Sequence, residues 1–355
     1  MRFQPTGEQS DFARTLRDLL GAADVPAAVR AWGAGDHGPG RALWDRVART
    51  GLFALAAGEE YGGAGLLPVE LALGLVEWGR AAAPGPVVET AAAAVLLGGL
   101  GELGDAGPAK RFLPELAAGG ASATLTLPGG SPYVLDAGAA TYCFTVTGAD
   151  ELRVTGGADG GGGEGAAGAE GAAVLASLDP ARRLSHPPAG GELLAAGPRV
   201  AAAAEAAGRW ARLLTAAQCL GLGEALLART VEYAKQRSQF GAPIGGFQAV
   251  KHRLADTLLG LEFARPLLWA AALSLDPGEV AAAKLTAGEA SYAAAMTALQ
   301  LHGAVGYTEE LDLSLWLRKA RPLRDAWGTP SRCRAAVLEA LPARGARNLP
   351  GAEPV

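Results

Sequence analysis

The sequence predicts a mainly α-helical protein in three parts, with helical domains at both ends and a small β-domain between them. Three observations lead to this prediction. Helical periodicity dominates residues 1–118 and 199–343, short alternating or β-branched runs occupy residues 119–198, and the chain of 355 residues is long enough for several packed units. The tail, residues 344–355, is assigned to none of these domains.

The composition is that of a globular protein and excludes several classes of partner. Half of the residues are hydrophobic, 19% are charged, and a net charge of -5 gives no reason to expect nucleic acid or an anionic membrane. No apolar run could span a bilayer and the N-terminus lacks a signal-peptide core, so we expect a cytoplasmic protein. Cys143, Cys219 and Cys333 are too widely spaced for a metal site, so we expect reduced thiols and no bound metal.

The N-terminal domain is predicted to consist of helices interrupted by one glycine turn. The segment EEYGGAGL (59–66) breaks the helical pattern because paired glycines mark a turn. Helical signal returns at PVELALGLVEWGRAA (68–82) and in APGPVVETAAAAVLLGGL (83–100). The first helix is predicted from an apolar face formed by Phe12, Leu16, Leu19 and Leu20.

The middle domain is predicted to contain short strands. Its candidate strands are SATLTLP, TYCFTV, ELRV and AAVLASL, which are alternating or β-branched runs separated by turns. The Gly-rich segment 156–173 cannot bury a core, so it is predicted to be a loop without chemistry.

The C-terminal domain is predicted to be a bundle of long helices. Its third helix follows GEVAAAKLTAGEASYAAAMTALQLHG (278–303), whose many alanines favour close packing. Two earlier helices are predicted from buried faces with spacings of 3, 4, 7 and 11, one formed by Leu220, Leu227, Val231 and Ala234, the other by Val250, Leu254, Leu258 and Leu261.

One segment of this domain combines groups suited to a nucleotide. In EYAKQRSQFGAPIGGFQAVKHRLAD (232–256), a helix is predicted to end near Gln239, before a Gly/Pro turn, and a new helix to start near Phe247. Arg237 offers a guanidinium fork suited to a diphosphate, and Phe240 and Gln248 offer an aromatic face and an amide. Taken alone, an arginine near a helix end is more often a solvated charge.

Taken together, the motifs resemble the acyl-CoA dehydrogenase family over nearly the whole chain. The motifs that carry this resemblance, in the family's order, are EEYGGAGL, PGPVVET, the 232–256 segment, QLHGAVGYTEELDLSLWLRKAR and RDAWGTPSR. The resemblance implies a helical N-terminal domain, a middle β-domain, here shortened, and a C-terminal four-helix bundle. It also implies α,β-dehydrogenation of an acyl-CoA thioester, tetramers with FAD at a subunit interface, and an electron-transfer acceptor.

The resemblance assigns candidate FAD contacts to two groups. Contacts lent to a neighbouring subunit's FAD match Arg237, Phe240, Gln248, Gln300 and Gly303. Contacts to the chain's own FAD match Thr126, Ser131 and Thr329, although the acidic residues of the family's flavin-facing strand are replaced in LTLPGGSP and its second flavin segment has no clear counterpart.

The family's catalytic base has no counterpart at either of its two known positions. The Glu that precedes Gly-Thr in the active-site loop is replaced by Trp327. In a minority of the family the Glu precedes a bundle arginine, which Arg212 matches as a substrate-site residue, and that position is Ala211. Neither side chain can accept a proton. The candidate substitutes are the carboxylates of Asp325, Glu309 and Glu310.

Three hypotheses follow for the function. The first is the base-lacking subunit of an α2β2 FAD-dependent acyl-CoA dehydrogenase, similar to actinobacterial enzymes of steroid side-chain degradation and acting on a steroid or other bulky acyl-CoA. The second is a stand-alone, homo-oligomeric flavoenzyme of the same family that performs a tailoring oxidation or hydroxylation. The third is a non-catalytic scaffold. The sequence does not identify the acyl group.

Overall fold

The computed structural model of the protein describes residues 4–148, 150–156 and 174–345, with side chains up to residue 341. The predicted mainly helical fold with a small β-domain is confirmed. The Gly-rich segment, except Gly156, and most of the tail lie outside the described residues. Within the described ranges, no helix is long and apolar enough to cross a membrane.

The N-terminal part contains six helices, and the fifth of them lies at the centre of the molecule. The first helix starts with a capping box, in which the Thr6 side chain and the Gln9 side chain each bond the other residue's backbone N–H. The fifth is buried on nearly all sides and joins the β-domain through Thr90, whose hydroxyl bonds both N and O of Ala123. The helices are α1 (Gly7–Gly21), α2 (Val25–Ala34), α3 (Gly38–Ala48), α4 (Pro68–Arg80), α5 (Val87–Glu102) and α6 (Ala106–Ala118).

Ten short strands are described, most of them in the middle part. The strands are β1 (Ala56–Ala57), β2 (Gly65–Leu66), β3 (Ala123–Thr126), β4 (Val134–Leu135), β5 (Tyr142–Thr147), β6 (Glu151–Gly156), β7 (Leu184–Ser185), β8 (Glu192–Ala196), β9 (Ser238–Gln239) and β10 (Ala242–Pro243). The middle part contains a four-stranded sheet with the order β3-β5-β6-β8, in which β3 and β5 are parallel and the other neighbours antiparallel. Two-stranded pairs form between β1 and β2, between β4 and β7, and, within the bundle, between β9 and β10.

Three of the four predicted sheet strands are present, and the fourth prediction is wrong. Leu175, in the predicted strand AAVLASL, makes only an isolated bridge to Leu184. The fourth strand of the sheet is instead Glu192–Ala196, which pairs with β6. That edge strand starts with exposed residues, so its sequence lacks the alternation that marks a half-buried strand.

The C-terminal part is a helical bundle in which the third helix packs against all the others. The turn predicted between a helix end near Gln239 and a helix start near Phe247 contains the short β9–β10 hairpin, and the two helices end at Gln236 and start at Gln248. The helices are α7 (Pro198–Gln236), α8 (Gln248–Ser274), α9 (Pro277–His302), α10 (Leu313–Asp325) and α11 (Pro330–Gly345).

Two glycines allow the N-terminal part and the bundle to approach closely. Gly79 of α4 faces the backbone of Gln218 in α7, and Gly221 of α7 faces the backbone of Val76 in α4. A Cβ at either position would collide with the facing main chain. The two helices therefore cross in backbone contact, which fixes α5 and α7 on either side of the site described below.

One predicted buried face is only partly buried. In α8, Leu261 is fully buried, whereas Leu258 is 46% exposed. Apolar periodicity identifies a face that excludes water but does not show whether the same chain covers that face.

The three parts meet at a small polar cavity of about 20 Å³, enough for about one water molecule. Asp136 of the β-domain accepts a hydrogen bond from Trp32 of α2 (3.0 Å), and Lys319 of α10 forms an ion pair with Asp179 (2.9 Å). The second oxygen of Asp136 has no hydrogen-bond partner among the described residues. Burial raises the pKa of Asp136 to about 7, with Glu89 also raising it and Arg182 lowering it.

The buried carboxyl of Asp136 should make stability depend on pH. Because its folded pKa of about 7 exceeds its ordinary value of 3.8, the stability it contributes is complete below pH 4 and is lost as pH rises through 7. Asp136→Asn keeps an oxygen for Trp32 and tolerates the left-handed backbone (φ 55°). Relative to this variant, the wild-type free energy of unfolding should fall by about 2–4 kcal/mol between pH 4 and pH 8. Urea titrations of both proteins at several pH values measure this difference, and parallel pH profiles would contradict the expectation.

Candidate active site and nucleotide surface

The loop after α10 carries Trp327 in a strained conformation. Ala326 leaves the helix with extended backbone, and Trp327 then adopts the left-handed region with φ 53°. A bulky residue is rarely found in this region and remains there only when its surroundings hold it. The Trp327 indole Nε1 donates a hydrogen bond to Glu89 Oε1 of α5 (2.9 Å), so the side chain links the bundle to the N-terminal part.

The two positions that the resemblance assigns to a catalytic base lie on a helix and a loop that the Arg212 side chain links. Arg212 of α7 donates from Nε to the carbonyl oxygen of Trp327 (3.2 Å). Ala211, the residue before it, is fully buried. The helix that carries one position and the loop that carries the other, 116 residues later in the sequence, are therefore in contact, and neither position supplies a carboxylate.

A buried lysine holds the same loop by hydrogen bonds to its backbone carbonyl oxygens. Lys284 of α9 is 1% exposed and donates from Nζ to the carbonyl oxygens of Arg324 (2.7 Å) and Gly328 (3.4 Å). The Cys333 thiol also bonds the Gly328 carbonyl (3.6 Å). Burial lowers the pKa of Lys284. Neutralisation of the lysine would leave one donor fewer for these carbonyls, so the loop depends on a desolvated amine.

Two of the three carboxylates considered as substitute bases form ion pairs with arginines. Asp325 pairs with Arg324 at 3.1 Å, and Glu309 pairs with Arg318 and has a side chain 77% exposed. Glu310 is exposed. The carboxyl in contact with the loop is Glu89, which the sequence reasoning overlooked. The available signal was a glutamate inside the apolar run VVETAAAAVLL.

The residues assigned to a neighbouring subunit's FAD lie together at one end of the bundle. The Tyr233 ring stacks on His302 at 4.0 Å, which places the end of α7 beside the end of α9. Burial lowers the pKa of His302, whose Nδ1 lies 2.8 Å from the Ala298 carbonyl. The exposed residues of this end, here called the nucleotide surface, are Arg237, Phe240, Gln248, Gln300 and Gly303.

The tip of the β9–β10 hairpin shows the strongest local strain on this surface. Phe240 and Gly241 occupy the two turn positions with φ 54° and 82°, a conformation for which the first position usually takes Asn, Asp or Gly. The Phe240 side chain is 95% exposed. Arg237 caps the end of α7 and has no carboxylate partner in the described part of the chain. An exposed aromatic ring in a strained turn, three residues from a guanidinium that has no carboxylate partner among the described residues, is suited to bind a flat, anionic ligand.

The hydroxyls assigned to the chain's own FAD are less available. Ser131 Oγ accepts from the backbone N of Tyr133 (3.1 Å), and Thr329 Oγ1 accepts from the N of Arg332 (3.4 Å). The Arg332 guanidinium donates to the Gly129 carbonyl, joining the start of α11 to the LTLPGGSP segment. Thr126 lies partly buried at the end of β3. Two of these three hydroxyls therefore already serve local turns.

Two domain models of one protein family match the chain. The acyl-CoA dehydrogenase N-terminal domain profile matches residues 6–120 and the C-terminal domain profile matches residues 201–341. The chain is 35% identical to acyl-CoA dehydrogenase IpdE2 of Mycobacterium tuberculosis over 318 residues, 89% of this chain and 92% of the relative.

Two solved structures share the fold. The ChsE4-ChsE5 complex from Mycobacterium tuberculosis has a TM-score of 0.77 at 24% identity, covering 99% of this chain and 100% of the other. The Tcur3481-Tcur3483 steroid ACAD has a TM-score of 0.77 at 22% identity, covering 96% and 99%. With a full-length relative at this identity and both terminal domains matched, the chain belongs to the acyl-CoA dehydrogenase family, and its cofactor is FAD.

Proposed function

We propose that the chain is the base-lacking subunit of a heteromeric acyl-CoA dehydrogenase. In this assembly it lends its nucleotide surface to FAD in a partner subunit that carries the base. The observation that supports the proposal is an asymmetry within one chain. The groups suited to a neighbour's nucleotide are exposed and available, while the position of its own base is filled by a hydrogen-bonded indole.

The nucleotide surface fits the diphosphate part of FAD. Arg237 offers a planar fork for two phosphate oxygens, and such charge-assisted bonds are the strong ones. Phe240 offers a ring face beside it, and the amides of Gln248 and Gln300 add neutral hydrogen bonds. When bound in the complex, FAD would supply the hydride acceptor that the dehydrogenation needs.

The chain's own site lacks the group that would remove the α-proton. The indole of Trp327 can donate a hydrogen bond but cannot accept a proton, and the methyl group of Ala211 can do neither. A missing general base costs about 10²–10⁴ in rate. We therefore assign the base to the partner subunit. Arg212 donates a hydrogen bond from Nε to the Trp327 carbonyl oxygen. Its role as a substrate-site residue is therefore part of the proposal.

An apolar stripe on α8 supplies a surface for another subunit. Leu259, Phe263 and Leu267 recur every four residues and are 53%, 70% and 38% exposed. An apolar face of this kind marks an association site in a chain that is otherwise well packed. The stripe supports association into an oligomer. The presence of a second kind of subunit in that oligomer is supported by the asymmetry of the flavin contacts and the missing base.

The comparisons support a paired assembly and a bulky substrate. Both solved structures named above carry the names of two chains, and one of them is named a steroid ACAD. We propose a steroid-derived or similarly bulky acyl-CoA as substrate, an electron-transfer acceptor that reoxidises the flavin, and a cytoplasmic location.

Flavin stoichiometry tests the proposed function. The full chain is co-expressed with a candidate base-bearing acyl-CoA dehydrogenase subunit, and flavin is counted against protein in the purified complex. We expect two FAD per four chains, with one base-bearing chain for each flavin. The separately purified chain should hold little FAD and should not oxidise acyl-CoA.

Other outcomes identify the alternatives. Four FAD per four copies of this chain, with rapid reoxidation by O₂, would indicate a stand-alone flavoenzyme. A chain that binds no flavin and no dehydrogenase subunit would indicate a scaffold. Either result would overturn the heteromer.

A further inference from the structure

Glu89 is a buried carboxyl with one hydrogen-bonding partner. Its side chain lies in the first turn of α5 and the residue is 4% exposed, in a helix made mostly of alanine, valine, leucine and glycine. Within the described residues no lysine or arginine pairs with Glu89, and the hydrogen bond to its carboxyl is donated by Trp327 Nε1. A buried polar group is costly unless it is satisfied, so this single bond has a large share in keeping the carboxyl where it is.

Trp327 is held from both sides. Its carbonyl oxygen accepts from Arg212 Nε, and its indole donates to Glu89, so the backbone and the side chain are fixed by two different helices. This double hold explains how a bulky residue remains at φ 53°. The indole thus crosses from the bundle to α5, at one of the two positions that the resemblance assigns to a catalytic base.

We propose that Glu89 and Trp327 form a latch that closes the acyl site of this chain. Glu89 is the positioning residue, and the indole is the plug that keeps an acyl thioester out. The latch rests on the proposed function, because it explains why the chain's own site is not used. The sequence suggested that an indole would fill space here, and the structure adds the carboxyl that holds it.

Indole hydrogen exchange tests the positioning role. In the full chain labelled with ¹⁵N-indole, Trp327→Phe assigns the Nε1–H signal, and the buried Trp44 indole bonded to the Gly119 carbonyl is the internal reference. In Glu89→Leu the Trp327 signal should shift and exchange about 10- to 100-fold faster, because the carboxyl acceptor of the indole N–H is lost. Glu89→Gln keeps an amide oxygen as acceptor and should restore slow exchange. An unchanged exchange rate in Glu89→Leu would overturn the positioning role.

Ligand binding tests the plug. Octanoyl-CoA is titrated calorimetrically into the full chain and its variants. The wild type and Glu89→Gln should show no binding, whereas Trp327→Gly should bind, since glycine removes the indole and suits the left-handed backbone. Glu89→Leu should bind more weakly than Trp327→Gly because the indole is freed but still present. Equal binding by the wild type and Trp327→Gly, or no binding by Trp327→Gly, would contradict the plug.

The latch and the proposed function fail in different ways. Flavin stoichiometry in the co-expressed complex decides the proposed function without reference to Glu89. Indole exchange in the single chain decides the latch without flavin or partner. If the chain shows the latch and also binds one flavin per copy, the proposed heteromeric function is overturned and the latch is not.

Discussion

Replacing Lys319 with methionine is expected to destabilise the fold by about 3–5 kcal/mol. Lys319 and Asp179 form an ion pair at 2.9 Å with side chains 7% and 3% exposed, and the pair joins α10 to the β-domain. Breaking a buried pair by removing one partner is costly because the remaining charge loses its counter-ion without regaining water. Asp179 also accepts from the N of Ala181 (3.0 Å), and that bond alone does not compensate a buried carboxylate.

A double-variant cycle separates the pair from the general effect of substitution. Urea unfolding is measured for the wild type, Lys319→Met, Asp179→Asn and the double variant. The double variant should be more stable than Lys319→Met, since no uncompensated charge remains. Strictly additive losses would show that the two residues act independently and would refute the buried-pair interpretation. Arg30→Met, which removes a half-exposed pair with Asp312, is the matched control and should cost below about 1 kcal/mol.

The fold class was accessible from the sequence because it depends on periodic patterns. Helical faces repeat along both ends of the chain, and the runs around Leu125 and Phe144 alternate as strands do. The edge strand from Glu192 was missed because exposed residues at a sheet edge carry no alternation. The hairpin at Phe240 was expected as a turn, but its strained geometry depends on backbone angles that residue type alone does not give.

The site was accessible only where its residues belong to local motifs. Arg237, Phe240 and Trp327 stand in recognisable strings, and the structure places the first two on one surface of the bundle. Glu89 and Lys284 lie 238 and 44 residues from the loop groups they contact, and each resembles an ordinary residue of its helix. Long-range contacts of this kind depend on how α5 and α9 pack against the loop, which no window of the sequence contains.

Replacing Arg237 with methionine is expected to weaken FAD retention by the co-expressed complex about 30- to 150-fold, roughly 2–3 kcal/mol. In the described part of the chain the Arg237 guanidinium has no carboxylate partner, so its loss disturbs no internal ion pair. The loss would leave the diphosphate without its bidentate partner at the edge of the nucleotide surface. Arg237→Lys keeps the charge but loses the fork, and should fall between the wild type and Arg237→Met.

The measurement is the dissociation constant of FAD from the reconstituted complex, followed by quenching of flavin fluorescence at two salt concentrations. Affinity for the wild type should fall with salt more steeply than for Arg237→Met, because a charge contact is present only in the former. Arg14→Met, which removes an equally exposed arginine paired with Asp11 in α1, is the control and should leave FAD binding unchanged. Equal retention by the wild type and Arg237→Met would show that the partner holds the diphosphate alone. The exposed guanidinium and the strained Phe240 turn would then have no role in flavin binding, and the asymmetry that supports a lending subunit would lose its main support.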